Sequence, residues 1–239
     1  MLRLPGRSVA ADPRPLAHGY HLLRARACGG NLTTFLLIRH ATNDALKEQR
    51  IVGRLPGVHL NEEGQAQALA LAERLASVDL AAVYASPMER AQETAQPLAA
   101  RHSLEVQTHP GLHEVDCGRW SGQPAEKLRR RRLWRAMALY PSGVPFPDGE
   151  SAWEVQARMI AALEEIRAAH PGQTVAIVSH ADPIKVAVAH YVGLPLDLFR
   201  RLTVAPASLT VLSLAGAVPR LVRLNDTGHL PRPEGEKGV

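Results

Sequence analysis

The chain has 239 residues, a formal net charge of +5, 46% hydrophobic and 21% charged residues, and two cysteines. That balance belongs to a globular chain long enough to bury a core unaided, and it excludes a collagen, a low-complexity segment and a disulfide scaffold. No apolar run approaches the ~18 residues of a membrane span, and Cys28 and Cys117 alone make neither a disulfide framework nor a four-cysteine zinc site.

Residues 1–33 hold five arginines and one acid, Asp12, so this segment carries +4 and the rest of the chain only +1. A nearly neutral body argues against a nucleic-acid partner. Pro5-Gly6, Pro13, Pro15 and Gly29-Gly30 interrupt any period. Residues 1–33 are therefore expected to be a basic, flexible extension, and 231–239 a flexible carboxyl-terminal tail. Between them, 34–230 reads as one domain.

Order begins at Thr34-Phe35-Leu36-Leu37-Ile38, an apolar run that suits a buried parallel strand and stops at Arg39-His40. Asn61 is placed to cap a helix running to about Ser77, with Leu69, Ala72, Leu75 and Ala76 on its inner face. Ala81–Ala85 reads as a second buried strand. Ser86-Pro87-Met88-Glu89 then reads as a capping box that opens a helix, which Pro97 should kink or end. Leu104–Gln107 is a weaker strand.

Residues 117–150 form a breaker-rich, lid-like excursion around one short basic helix. The run Arg129-Arg130-Arg131-Arg132 reads either as a solvated face or as a lid surface that meets an acidic substrate tail. Trp134 and Trp153 read as packing anchors. Pro147-Asp148-Gly149-Glu150-Ser151 is a turn that can bring Glu150 or Ser151 to a pocket rim, and Ser151-Ala152-Trp153-Glu154 is a capping box for a helix to about Ala169. Thr174–Val178 is a buried strand ending at Ser179-His180, and a helix follows over about Pro183–Tyr191. Ser208–Leu214 and Arg220–Leu224 close the chain as a hairpin around Gly216.

Buried strands alternating with amphipathic helices predict a parallel or mixed sheet covered on both faces. Three strand ends are polar: Arg39-His40, Ser86 with the nearby Arg90, and Ser179-His180. Ligands of open α/β sheets bind beyond the carboxyl ends of the strands. Two guanidiniums and helix amino termini there favour a phosphate, and an imidazole can attack it. Glu114 is the best-placed acid, with Asp116 as a rival and His113 read as structural or exposed; burial would raise its pKa and the arginines would lower it. No Asp-rich cluster or His/Cys spacing suggests a metal.

The stretch Phe35–Ala41 resembles the strand-plus-Arg-His-Gly signature of the histidine phosphatase superfamily, the phosphoglycerate-mutase-like proteins. The resemblance continues through Gly53, Leu60–Ala66, Ser86–Ala95, Leu112–Gly122 and Ser179-His180, about residues 34–224. It implies an α/β fold, a three-layer α/β/α sandwich with a mostly parallel central sheet. It implies that His40 is a nucleophile forming phosphohistidine, that Arg39, Arg90 and His180 hold the phosphoryl group, and that Glu114 donates the proton and then activates water. It implies no metal and no cofactor.

Two positions depart from the family pattern. Ala41 stands where the signature has glycine, and Leu46 where the family often has asparagine; the nearby Asn43 can supply the polar contact instead. The expected activity is hydrolysis of a small phosphorylated metabolite by a cytoplasmic monomer or homodimer without a membrane partner. A phosphoglycerate-mutase-type phosphomutase using the same residues is the alternative, and a basic-tailed binding module is a third reading.

Overall fold

The structure is a computed structural model that describes residues 32–215 and 218–231. Except for Leu32, Thr33 and Pro231, the expected extension and tail lie outside the described residues, as do Cys28 and the hairpin tip at Gly216. Six strands, β1 (Thr33–Arg39), β2 (Ala82–Ala85), β3 (Val106–Thr108), β4 (Thr174–Ser179), β5 (Leu209–Ala215) and β6 (Val218–Asp226), form one sheet. Their order is β3-β2-β4-β1-β5-β6. β3, β2, β4 and β1 pair in parallel, while β5 and β6 join antiparallel at one edge. Thr33 already pairs with Leu214, so the strand begins inside the segment expected to be flexible.

The helices are α1 (Asp44–Lys47), α2 (Glu62–Leu75), α3 (Glu89–Arg101), α4 (Ala125–Arg129), α5 (Arg132–Leu139), α6 (Ala152–Ala169) and α7 (Ala181–Val192). Alternate residues of β1 face opposite layers. Leu36 and Ile38 pack with Leu71 and Leu75 of α2 and Leu98 of α3. Phe35 and Leu37 pack with Met159, Leu163 and Ile166 of α6 and Ile184 and Val188 of α7. Burial on both faces is why the strand is apolar at every position, and each such side chain stabilises the fold by roughly 1.5–3 kcal/mol. The result is the expected three-layer sandwich. A further cluster of Trp120, Leu128, Met137 and Phe199 with Val155 of α6 and Val186 of α7 fastens the excursion to the body.

Several local expectations are corrected. Leu69 is 63% exposed, and Ala68 and Leu71 occupy the inner face of α2 instead. Pro97 sits inside α3, which runs on to Arg101; the ~3 kcal/mol cost of an interior proline is offset by burial of Leu98 and Ala99 beyond it. No capping box forms at Ser86, because α3 starts at Glu89 after an uncapped Met88 and the Ser86 hydroxyl is engaged elsewhere. The box at Ser151 does form. The basic stretch makes two short helices, and Arg129–Arg132 are exposed. Trp153 is 62% exposed on the outer face of α6; the buried anchor is Trp120, stacked on Trp134 at 5.9 Å. Among the described residues no helix is long and apolar enough to cross a membrane.

Candidate active site

The carboxyl ends of β1, β2 and β4 converge as the strand order requires. The His40 amide donates to the Ser179 carbonyl (2.9 Å) and the Ser86 amide to the Val178 carbonyl (2.9 Å), so three successive strand ends are tied to one another. Above them lies a cavity of about 270 Å³. Arg39, His40, Asn43, Arg90 and Glu114 line its floor, and Leu46, Trp134, Met137 and Phe146 are among its apolar walls. The excursion thus roofs the site, but through Trp134, Met137 and Phe146 rather than through Arg129–Arg132. The wall cations are Arg50 and Arg200, and Asp182 is a wall acid.

His40 is buried, and its Nδ1 lies 2.8 Å from the Ala41 carbonyl. A carbonyl only accepts, so Nδ1 carries the proton and Nε2 keeps its lone pair. Burial, then the charges of Arg90 and Arg39, hold the imidazole pKa well below its ordinary value. The ring is therefore neutral and nucleophilic at neutral pH. The Ala41 methyl, where the family signature has glycine, packs against Leu60, Ala68 and Ala207, so the replacement is absorbed by a small apolar cluster.

His180 packs edge-on to His40, with ring centroids 5.1 Å apart. Its Nε2 lies 2.8 Å from Ser86 Oγ, which also accepts from the Met88 amide at 3.4 Å. The serine proton is then free for His180 Nε2, which leaves the ring proton on Nδ1. Burial, followed by Arg90 and His40, lowers the His180 pKa as well.

Among the described residues, three buried donors at this site have no hydrogen-bond partner: Arg39 Nε, Arg90 Nη1 and His180 Nδ1. Their other groups are anchored, Arg39 Nη1 on the Val204 carbonyl (2.8 Å) and Arg90 Nη2 on the Gly53 carbonyl (2.9 Å). An unpartnered buried donor costs about 1–3 kcal/mol, more when charged. Charged donors of this kind favour an oxyanion as ligand.

Glu114 lines the cavity together with Arg39 and Arg90. Its Oε1 accepts from the Val115 amide (2.9 Å) and its Oε2 lies 3.6 Å from His180 Nδ1. Burial raises its pKa, Arg90 opposes that, and Asp182 adds a further rise. The balance left open by sequence thus falls to burial, and a raised pKa is the direction that suits a proton donor. Its rival Asp116 is absent from the cavity lining; its carboxylate accepts from the Gly118 amide (2.9 Å).

Ligand atoms of His40, Glu114 and His180 lie within 4.8 Å of one another, a cluster able to hold a cation that sequence spacing did not reveal. The two guanidiniums beside it oppose a cation and favour an anion.

Asn43 lines the cavity, but its carboxamide oxygen caps α1 by accepting from the Leu46 amide (3.0 Å), which leaves only the amide nitrogen for a ligand. Cys117 is buried in the cavity wall and its thiol pKa is pushed far up by burial, which makes it inert. Sequence reasoning missed Ser86 as the partner of His180, Asp182 beside Glu114, and an ion-pair group behind Glu114 made of Arg54, Glu150 and Arg158. Only Glu150 carried a signal, as a residue close to the pocket; Ser151 caps α6 instead.

The model of the histidine phosphatase superfamily (branch 1) matches residues 35–227. Phosphoserine phosphatase 1 of Hydrogenobacter thermophilus is 33% identical over 204 residues, which cover 83% of this chain and 95% of that protein. The solved structure of a mycobacterial glucosyl-3-phosphoglycerate phosphatase superposes with a TM-score of 0.74 at 26% identity, over 82% of this chain and 100% of that one. A mutant phosphoserine phosphatase of Entamoeba histolytica, in complex with phosphoserine, superposes with a TM-score of 0.76 at 25% identity, over 83% of this chain and 100% of that one.

Proposed function

The chain belongs to the histidine phosphatase superfamily, branch 1, and from that premise we propose that it hydrolyses small phosphomonoesters through a phosphohistidine on His40, without a metal ion. The observation that carries the reading is that Arg39, His40 and Arg90 line one cavity with His180 packed edge-on to His40, while Arg39 Nε, Arg90 Nη1 and His180 Nδ1 have no hydrogen-bond partner among the described residues. In the first step the His40 Nε2 lone pair forms a bond to phosphorus. The P–O bond to the leaving group breaks, and its electron pair stays on the oxygen, which takes the Glu114 proton. In the second, the Glu114 carboxylate takes a proton from water, the water oxygen bonds to phosphorus, the P–N bond breaks, and inorganic phosphate leaves. The guanidiniums hold the equatorial oxygens in both steps. Their fixed charge supplies the electrostatic stabilisation that a metal supplies elsewhere.

The named relatives act on, or bind, phosphorylated compounds that carry a carboxylate beside the ester. Such a group would meet Arg50 or Arg200 on the cavity wall, and an ammonium would meet Asp182. Small phosphorylated acids are therefore the substrates to test first. Hydrolysis is favoured over the mutase alternative because these relatives are phosphatases by name and Leu46, an apolar side chain, lines the wall. The low cysteine count suits a reducing, cytoplasmic setting.

The test is p-nitrophenyl phosphate hydrolysis in EDTA by the wild type and by His40→Ala. Turnover that survives chelation and disappears in the variant is expected. Equal turnover in both proteins, or complete loss on chelation, would overturn the reading.

A further inference from the structure

Glu114 lies in an irregular segment between two single-turn helices, Pro110–Leu112 and Gly118–Trp120. No strand ladder fixes it. A general acid must nevertheless stay within hydrogen-bond reach of the leaving oxygen. What holds the segment is a compact ion-pair group behind it. Glu150 Oε1 accepts from Arg54 Nη2 (2.7 Å) and Arg158 Nε (2.9 Å). Glu150 Oε2 accepts from Arg158 Nη2 (3.0 Å) and from the Asp116 amide (3.0 Å). The guanidiniums in turn grip the main chain. Arg54 Nε and Arg158 Nη2 both donate to the Glu114 carbonyl (2.9 and 3.0 Å). Arg158 Nη1 donates to the carbonyls of His113 (2.8 Å) and Gly111 (2.9 Å).

This group differs from a surface salt bridge. Its side chains are 19–32% exposed, the Arg158–Glu150 contact is a bidentate fork, and each charge is bonded to backbone as well as to its partner. It also touches the phosphate side of the site. Arg54 follows Gly53, whose carbonyl anchors Arg90 Nη2. Gly53 has φ +55°, and a Cβ there would press on Ser121 Oγ (3.0 Å) and Cys117 Cβ (3.1 Å). One two-residue turn therefore holds the acid's segment with Arg54 and a phosphate-binding arginine with Gly53.

We infer that Glu150, with Arg54 and Arg158, positions the Glu114 carboxyl for proton donation, and that these residues govern which leaving groups the enzyme can expel. The inference rests on the assignment of Glu114 as the acid. A displaced acid fails most where the leaving oxygen is most basic, because a nitrophenolate departs without a proton and an unactivated phenolate does not. Misplacement by about 1 Å can cost 10²-fold.

The experiment measures kcat/KM, which reports formation of the phosphoenzyme, for p-nitrophenyl, phenyl and p-methoxyphenyl phosphate. It compares the wild type with Glu150→Gln and Glu114→Gln. The wild type is expected to show a shallow dependence on leaving-group basicity. Glu150→Gln is expected to lose tenfold or more on phenyl phosphate relative to p-nitrophenyl phosphate, in the same sense as Glu114→Gln. The ratio is taken within one protein, so a reduced folded fraction cancels. If Glu150→Gln does not fold, Arg158→Lys, which keeps the charge but not the fork, takes its place with the same expected result. Equal losses on all three esters, or no loss, would overturn the positioning role. A shallow dependence in Glu114→Gln would instead overturn the acid assignment, and the inference with it.

Discussion

Arg90 and Gly53 meet through a hydrogen bond, Nη2 to carbonyl oxygen at 2.9 Å, while Nη1 of the same guanidinium is buried and has no hydrogen-bond partner among the described residues. The bond fixes the plane of the fork and leaves its other prong for a ligand. A tetrahedral oxyanion should therefore bind the folded state alone. At a hundredfold excess over Kd this stabilises by about 2.7 kcal/mol, a rise in Tm of roughly 5–10 °C at 2–4 °C per kcal/mol for a chain of this size. Thermal melts with and without vanadate should show that shift in the wild type and little of it in Arg90→Ala. A full shift in the variant would separate Arg90 from the anion site.

In the proposed mechanism the acid and the nucleophile require opposite protonation states, which sets the expected pH profile. His40 must be neutral, and its pKa lies well below the ordinary value, so the acid limb of kcat/KM should fall below pH ~6.5. Glu114 must be protonated, and its raised pKa sets a limb that falls as pH rises through it. Glu114→Gln should lose the alkaline limb and about 10²–10⁴ of the rate on unactivated esters. An alkaline limb that survives in Glu114→Gln belongs to another group.

Stability should decline on acidification below about pH 6.5. His40 and His180 are held neutral in the fold, whereas in the unfolded chain they take up protons near pH 6.5, so the unfolded state binds more protons there. Glu150 and Asp226, with lowered pKa values, act in the same direction lower in the acid range. Glu114, with a raised value, acts in the opposite direction. Urea midpoints at pH 7.5 and 5.5 check the net sign, and His180→Gln should flatten the difference.

Ser86→Ala removes the one hydrogen-bond partner of His180 Nε2 among the described residues without touching the cavity floor. It should cost about 1–3 kcal/mol in stability for the unpaired buried nitrogen, and about tenfold in kcat as the ring loses its orientation. Ser86→Thr restores the hydroxyl and should recover most of kcat. If Thr and Ala lose kcat equally, the bond does not orient the ring.

Gly64→Ala sets two effects against each other in α2. Alanine is the better helix former by about 1 kcal/mol. A Cβ at this position, however, would lie 2.0 Å from the Thr42 carbonyl oxygen, in the loop just after His40. The overlap should dominate, with a net loss of several kcal/mol by chemical denaturation. A neutral or stabilising result would show that this loop yields.

The layers, and the residues proposed to react, were legible in the amino-acid sequence. Phe35–Ile38 is apolar at every position because both faces of β1 are covered, and that pattern is local. Arg39-His40, Arg90 and Ser179-His180 stand at strand or helix ends where a chain-order reading can find them, and Glu114 is found through the motif-like stretch Leu112–Gly122 although it lies in an irregular segment. Tertiary structure decided what orients those groups. Ser86 resembled a helix cap until β2 and β4 were adjacent, because its partner His180 is 94 residues away. Arg158 resembles any helix-face arginine until α6 lies behind the Glu114 segment, 44 residues earlier. Arg129–Arg132 drew attention as a run, yet the wall cations are the isolated Arg50 and Arg200. Leu69 and Leu71 differ only by 200° of helical rotation, which no periodicity fixes without the neighbouring sheet. Side chains whose partners are close in sequence leave a pattern in it, whereas hydrogen bonds and charges acting across the sheet depend on distances that exist only once the strands are paired.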